Sequence, residues 1–267
     1  MQLVDSTVRE IFQESGVDGM IRHIDYCAGV CYNRHGYTKD SYKFVKSLFE
    51  KGHMRPLEFG TVNIDVECSY TYKGNHIHLF LVTSPYSMTD LYNDDTRVNV
   101  TTNFRVICEF FNDFDLAYEF VKDRWVELPF FVRRTFAWTC GRAIADEFRT
   151  HITLSSIMKS TRYVNETKNG DIRFVKPYWC IDADREAFLA DGLNSAERYY
   201  HDAIAMGMKP QEARELLPLS VETELYQCGF CGYSDIGWGR FLIMRLDESA
   251  HPDAQKLARE LESLINK

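Results

Sequence analysis

The chain has 267 residues, 45% apolar and 26% charged, with a formal net charge of −8. That length suits one domain able to bury a core without staples, and the negative balance argues against a general polyanion binder while leaving room for a local basic pocket for one mononucleotide. No run approaches the roughly 18 apolar residues of a membrane span, the start MQLVDSTVREIFQ has no charged n-region before an apolar core and reads as no signal peptide, and eight scattered Cys fit a reducing cytoplasm better than a disulfide framework.

Residues 1 to 13 read as a strand or a short amphipathic segment. From Gly19 to Tyr32, Met20, Ile21, Ile24, Cys27, Val30 and Cys31 recur at helical spacing. After a turn at Gly36, Asp40 or Ser41 can cap a second helix, with Phe44, Val45, Leu48 and Phe49 on one face and Gly52 at its end. TVNIDVEC, 61 to 68, alternates like a half-buried strand. Then come TYKGNHIHLFLVTSP, Asn93-Asp94-Asp95, VNVTTNFRVICEFF and a helix from Asp115 to Lys122. His76 and His78 alternate on a strand face, where an ordinary surface reading outweighs a metal site.

Arg134 to Thr139 is strand-like, Gly141 breaks the period, and 142 to 149 reads as a helix with Ala143, Ile144 and Phe148 inward. A polar segment from His151 to Arg162 follows, with Ser155, Ser156 and Ser160. Its donors suit a phosphate or a carbonyl-rich ring. Asn169-Gly170 signals a hairpin turn between Tyr163 and Val175. Asp184 to Gly207 is a long helix with Phe188, Leu189, Leu193, Ala196, Tyr200, Ala203 and Ile204 inward. Pro210 opens another helix. A last helix from Pro252 carries Ala254, Leu257, Ala258, Leu261 and Leu264 on one face.

Two Cys pairs, Cys27 with Cys31 and the C-x-x-C of Cys228 and Cys231, read as core thiols rather than metal ligands. No metal site is expected. Arg162 and Arg245 lie among apolar residues, where an unpaired charge is costly, so an anion or a carboxylate should be near each. Arg214 sits in an amphipathic helix, where a solvated face is the commoner reading. Ser160 reads as a donor rather than a nucleophile, because no His or Lys base is placed to activate it.

Five segments then fall into a recognisable order. His53, Pro56 and Glu58 stand in place in a His-x-x-Pro-Phe-Glu-His pattern. Thr101 to Val106 matches a Thr-Thr-Asn-aromatic-Arg-Val run. Thr150, His151 and Ile152 occupy an Arg-His-Arg triplet, followed by Ser155 and by Ser160-Thr161-Arg162-Tyr163. Ala213-Arg214-Glu215-Leu216-Leu217-Pro218 and Thr223-Glu224-Leu225 come next. Trp238 to Arg245 and Ala250-His251 close the series. Over roughly residues 20 to 265 the chain resembles the flavin-dependent thymidylate synthases.

The resemblance implies an α+β fold, a central antiparallel-rich sheet flanked by helices. It implies one domain over 1–267, with an insertion at about 70–128, assembled as a homotetramer with sites between subunits. The implied activity is reductive methylation of dUMP to dTMP, with carbon from methylene-tetrahydrofolate and hydride from FAD reduced by NADPH. The flavin does the hard chemistry and the protein supplies orientation and charge. Arg245 would be catalytic, at the uracil edge, favouring ionisation of N3. Glu147, Ser160, Arg162 and Arg214 would hold dUMP with it. His53, Arg55, Arg149, Thr150, His151 and Arg240 would face FAD. Partners are then dUMP, folate and further copies of the chain, with no nucleic acid polymer and no membrane.

Thr150 and Ile152 stand where the family has two cations, and three readings stay open. Arg149 takes the first role by a shifted register, other groups hold the flavin, or the fold serves an altered substrate or has lost methyl transfer. The functional alternatives are a flavoprotein of the same fold acting on another pyrimidine nucleotide and a non-catalytic nucleotide-binding protein.

Overall fold

The computed structural model describes residues 1–92 and 96–266, so Asn93, Asp94 and Asp95 lie outside the described residues. The chain starts with strands β1 (Gln2–Val4) and β2 (Thr7–Ile11). Helix α1 (Gly16–Gly29) buries Met20, Ile21, Ile24 and Cys27, the stripe that the 3.6-residue period demands. It runs on into a 3-10 turn at Val30–Tyr32. Helix α2 (Ser41–Glu50) begins where the Asp40 carboxylate accepts the Lys43 N–H at 3.0 Å. It ends at Gly52, whose φ of +73° favours glycine. A 3-10 turn, Arg55–Phe59, leads into β3 (Thr61–Glu67).

A hairpin of β4 (Thr71–Tyr72) and β5 (Asn75–His76) precedes α3 (Ile77–Thr83). His76 therefore ends a strand and His78 sits in a helix, which corrects the alternation expected on one strand face. A short apolar run such as Leu79 to Val82 has no period long enough to tell the two apart. Strands β6 (Met88–Leu91) and β7 (Arg97–Asn103) complete an antiparallel sheet of order β3-β7-β6. Asn103 caps α4 (Phe104–Phe111) and Asp113 caps α5 (Phe114–Arg124). Met20, Ile24, Ile64, Val100, Phe104 and Val121 share one core here.

The second half holds β8 (Arg133–Gly141), α6 (Arg142–Phe148), β9 (Ser155–Met158), β10 (Arg173–Val175), α7 (Ala183–Ala205), α8 (Pro210–Ala213), β11 (Glu222–Phe230), α9 (Gly237–Arg245) and α10 (Pro252–Ile265). Four strands make an antiparallel sheet of order β2-β8-β11-β9. β8 and β11 pair from Gly141↔Glu222 to Arg133↔Phe230. Helices with mainly antiparallel sheets agree with an α+β fold. No helix among the described residues is long and apolar enough to cross a membrane.

Four expectations need correction. Ala143 is exposed, because the inward face of α6 is carried by Ile144, Ala145 and Phe148. The polar run after His151 contains β9, where Ser155 and Ile157 are buried and Ser156 and Met158 are half-buried, a strand's alternation. Asn169-Gly170 makes no hairpin. A 3-10 turn, Glu166–Asn169, ends at Gly170, and β10 pairs in parallel with β1. That placement buries Phe174 against Leu193 and Tyr200 of α7. Phe188 is 79% exposed, because the inward face of α7 is carried by Leu193, Tyr200 and Ala203.

Five aromatic residues fix the elements that carry the site. Trp138 on β8 meets Phe148 of α6 at 4.9 Å between ring centroids, and Phe148 meets Phe241 of α9 at 4.9 Å. Trp238 packs edge-on against Phe136 at 5.1 Å and donates its indole N–H to Arg134 O at 3.0 Å. Such offset and edge contacts add about 0.5–1.5 kcal/mol per pair beyond area burial. They hold the C-terminal end of α6 against the middle of α9.

Candidate active site

An open cleft of about 1080 Å³ runs between the end of α2, the 3-10 turn after it, strand β9 and the loop that follows. It is large enough for a nucleotide and a ring system together. Its wall includes Arg55, Arg105, Arg142, Arg149, Lys159, Arg162 and Arg214, together with His53 and His151, and no carboxylate among the described residues. Seven permanent cations gathered this way on a chain of net charge −8 make a concave site built for an anion.

Four of the cations are positioned by carboxylates outside the lining. The buried Glu58 accepts from Arg105 at 2.7 Å and from Arg55 at 3.4 Å, so one carboxylate behind the wall orients two guanidinium groups. Asp146 does the same for Arg142 at 3.3 Å and Arg149 at 3.1 Å. Nη1 of Arg142 is buried with no hydrogen-bond partner. An orphaned guanidinium nitrogen in a cleft wall is costly unless an acceptor reaches it.

The loop after β9 carries the polar motif. Lys159 N–H donates to Glu224 O at 2.9 Å and Ser160 N–H to Cys31 O at 3.2 Å, which ties the loop to β11 and to the 3-10 turn after α1. Ser160 Oγ accepts the Arg162 N–H at 3.2 Å. Arg162 is exposed and has no ion pair among the described residues; its guanidinium lies 5.6 Å from the Tyr163 ring. The expectation of an apolar setting for Arg162 is thus corrected, since its neighbour Tyr163 is itself 60% exposed. Arg214, half-buried in a 3-10 turn at Arg214–Leu216, donates to Thr161 Oγ1 at 3.4 Å. The rings of Tyr32 and Tyr163 lie 5.6 Å apart on the same wall, a surface on which a flat ring can stack.

Arg245 sits behind this wall. It is buried and donates from Nε to His151 Nε2 at 2.8 Å, from Nη1 to the Glu147 carboxylate and from Nη2 to Glu147 O at 3.2 Å. The carboxylate partner expected for a buried Arg245 is Glu147. His151 is held neutral, its pKa lowered to about 4 by burial and by Arg245 and Arg240 nearby. Its Nε2 accepts from Arg245, so the proton belongs on Nδ1.

Of the residues singled out in the sequence, His53, Arg55, Arg149, His151, Ser160, Arg162 and Arg214 meet around the cleft. Arg245, Glu147, Thr150 and Arg240 do not line it. Glu147 faces a separate cavity of about 210 Å³ beside Tyr178, Trp179 and His251. Thr150 is exposed and turns its hydroxyl back to Glu147 O at 2.7 Å, and Arg240 is exposed on α9. Arg105, Arg142 and Lys159 line the cleft and were not anticipated. Arg105 lies inside the Thr-Thr-Asn-Phe-Arg-Val run, which was a signal. Arg142 directly follows the Gly141 break, and Lys159 interrupts an otherwise apolar Ile157-Met158 stretch.

Cys27 and Cys228 are buried and Cys31 and Cys231 half-buried, all as free thiols. Burial pushes the Cys231 thiol up to about 12. Among the described residues no group of three His, Cys, Asp or Glu is arranged to hold a metal.

No curated protein matches the chain significantly. The sequence model described as thymidylate synthase complementing protein matches residues 129–267, from just before β8 through α10. That span is more than half of the chain and carries β9, its polar loop, Arg214, α9 and Arg245, so the chain belongs to the thymidylate synthase complementing family, the flavin-dependent thymidylate synthases.

Proposed function

We propose that the chain converts dUMP to dTMP in this cleft, with FAD as the flavin, NADPH as its reductant and methylene-tetrahydrofolate as carbon donor. The observation that carries the reading is the charge of the wall, seven cations and no carboxylate among the described residues. The fit to a flavin nucleotide rests on the cleft's size, the orphaned Nη1 of Arg142 and the exposed Tyr32 and Tyr163 rings.

Arg162, Arg214 and Ser160 hold the 5′-phosphate, and Arg142 joins them. A fork of two N–H donors suits a phosphate because it pairs two oxygens at once. His53, Arg55, Arg149 and His151 face the flavin, which supplies a hydride when bound and reduced. Neutral His151 presents its Nδ1–H as a donor while Arg245 holds its other face. For the uracil-edge role that the resemblance gives Arg245, its guanidinium exchanges the Glu147 carboxylate for a pyrimidine oxygen. A cation at that edge favours loss of the N3 proton. Thr150 and Arg240 remain outer candidates for FAD.

We further propose one domain over 1–267, with about 70–128 inserted, assembled as a homotetramer in the cytoplasm. Supporting this, α1 and the helices of the inserted segment share a single core. Ile152, apolar and 91% exposed on the cleft wall, suits a face covered by a flat ligand or a second copy.

The test is purification followed by flavin absorbance, FAD titration and tritium release from labelled dUMP. Yellow protein that releases tritium with folate and NADPH supports the reading. A colourless protein that neither binds FAD nor is stabilised by it overturns it.

A further inference from the structure

A second cavity of about 200 Å³ lies at the far side of Lys159, between β11, the 3-10 turn Glu166–Asn169 and Asn33. Five buried side-chain atoms among the described residues lack a hydrogen-bond partner, and three of them belong to residues lining this one cavity: Glu166 Oε1, Thr223 Oγ1 and Glu224 Oε2. Glu166 is 8% exposed and Thr223 is 2% exposed. All three atoms are oxygens, and two belong to carboxylates. A buried acceptor left without a donor costs about 1–3 kcal/mol, more when charged, so three in one place point to an occupant that donates.

The charge balance names its sign. The two fixed cations on the wall are already engaged, Lys159 with Glu166 at 2.9 Å and Arg173 with Glu222 at 3.1 Å. Among the described residues Glu224 has no ion pair with a fixed cation: the imidazole of His35 lies 3.6 Å away, beyond hydrogen-bond reach, and Arg9 acts on it only from outside contact distance. The occupant is therefore not an anion. A bare metal ion is also a poor fit, because no three carboxylate, His or Cys groups among the described residues converge for direct ligation. The volume holds a small molecule rather than a chain of side chains.

We propose that this cavity binds a small hydrogen-bond-donating cation of the primary ammonium class, held by Glu166, Glu224 and Thr223. An ammonium head offers three donors to three waiting oxygens and neutralises the unmatched carboxylate. Lys159 lines both this cavity and the cleft, so the site abuts the loop carrying Ser160 and Arg162 without sharing their ligand.

The test is thermal unfolding of the full chain while tetramethylammonium chloride is replaced by methylammonium chloride at constant ionic strength. The two cations carry the same charge, but only methylammonium donates hydrogen bonds. The expected result is a saturable rise in Tm with methylammonium, following ligand binding to the native state, and an affinity about tenfold weaker in Glu224→Gln. Thr223→Val, which removes an unpartnered oxygen and leaves every charge in place, weakens it as well and serves if Glu224→Gln does not fold. Superimposable curves for the two salts, a rise unchanged in both variants, or a rise with magnesium alone would each overturn the proposal, the first leaving a cavity that holds only water.

Discussion

Arg245 donates from Nε to Nε2 of His151 across 2.8 Å, so a permanent cation faces the imidazole directly. Protonating that ring would set two positive charges against each other in a buried place. The His151 pKa falls from 6.5 to about 4, with burial the larger cause and Arg245 the next. His23, fully buried beside Thr135 Oγ1 at 3.0 Å, is lowered to about 4 by burial.

Both depressions make stability depend on pH in one direction. The unfolded chain takes up protons below 6.5, while the native chain resists until about 4. Stability is thus complete above 6.5 and is lost as pH falls towards 4, by on the order of 3 kcal/mol per histidine. Urea midpoints across that window check it. His151→Gln, which keeps an acceptor for Arg245, should flatten the slope by about half. An unchanged slope would mean that His151 is not buried neutral.

Removing Glu147 strands Arg245. Glu147→Ala should cost about 1–3 kcal/mol, less than a fully enclosed pair because the Glu147 side chain is 33% exposed. Denaturant unfolding measures it. The double variant Glu147→Ala with Arg245→Met should recover part of the loss, since no charge is then left unpaired.

Arg162 and Arg214 should behave in the opposite way. Arg162 is exposed and Arg214 half-buried, so replacing either by Gln should shift Tm little. Each substitution should weaken dUMP binding by about tenfold or more, the value of one charge-assisted bond. Isothermal titration with dUMP and with uridine separates the effects, because only the phosphate ester should respond.

Gln227 is fully buried and joins three elements beside the site. It accepts the Trp138 indole N–H at 3.0 Å and donates to Phe148 O at 3.0 Å and to Ser156 Oγ at 2.9 Å. Gln227→Leu would leave the buried indole N–H without its partner and take from Phe148 O one of its two donors, the His151 N–H at 3.3 Å remaining, and should destabilise by about 1–3 kcal/mol. Equilibrium unfolding of Gln227→Leu beside Gln227→Glu tests this, with the buried charge expected to be worse still.

Local features of this fold were readable in the chain. The stripe of α1, the Asp40 cap, the alternation of β3 and the inward face of α10 each depend on neighbours a few residues away. The rule that a buried charge must be paired called for a partner near Arg245, and Glu147 fills that role from nearly a hundred residues away. What the chain concealed depends on distant pairing. β10 meets β1 rather than folding back on itself, a choice no turn signal encodes. Lys159 reads as a stray charge until the turn at Glu166–Asn169 folds the Glu166 carboxylate onto it, and Gln227 looks like any strand residue until Trp138 and Phe148 surround it. In the candidate site, the motif residues of the loop after β9 were visible as donors. Arg142 became apparent only once Asp146 oriented it towards the cleft.

The wall of the cleft has a kinetic corollary. A molecule that is negative overall repels a dianion at long range, yet funnels it once it comes near the guanidinium rim. Capture should therefore slow steeply as added salt shortens the reach of that local field, which is about 10 Å at 0.1 M. A neutral nucleoside approaching the same opening should arrive at a rate indifferent to salt.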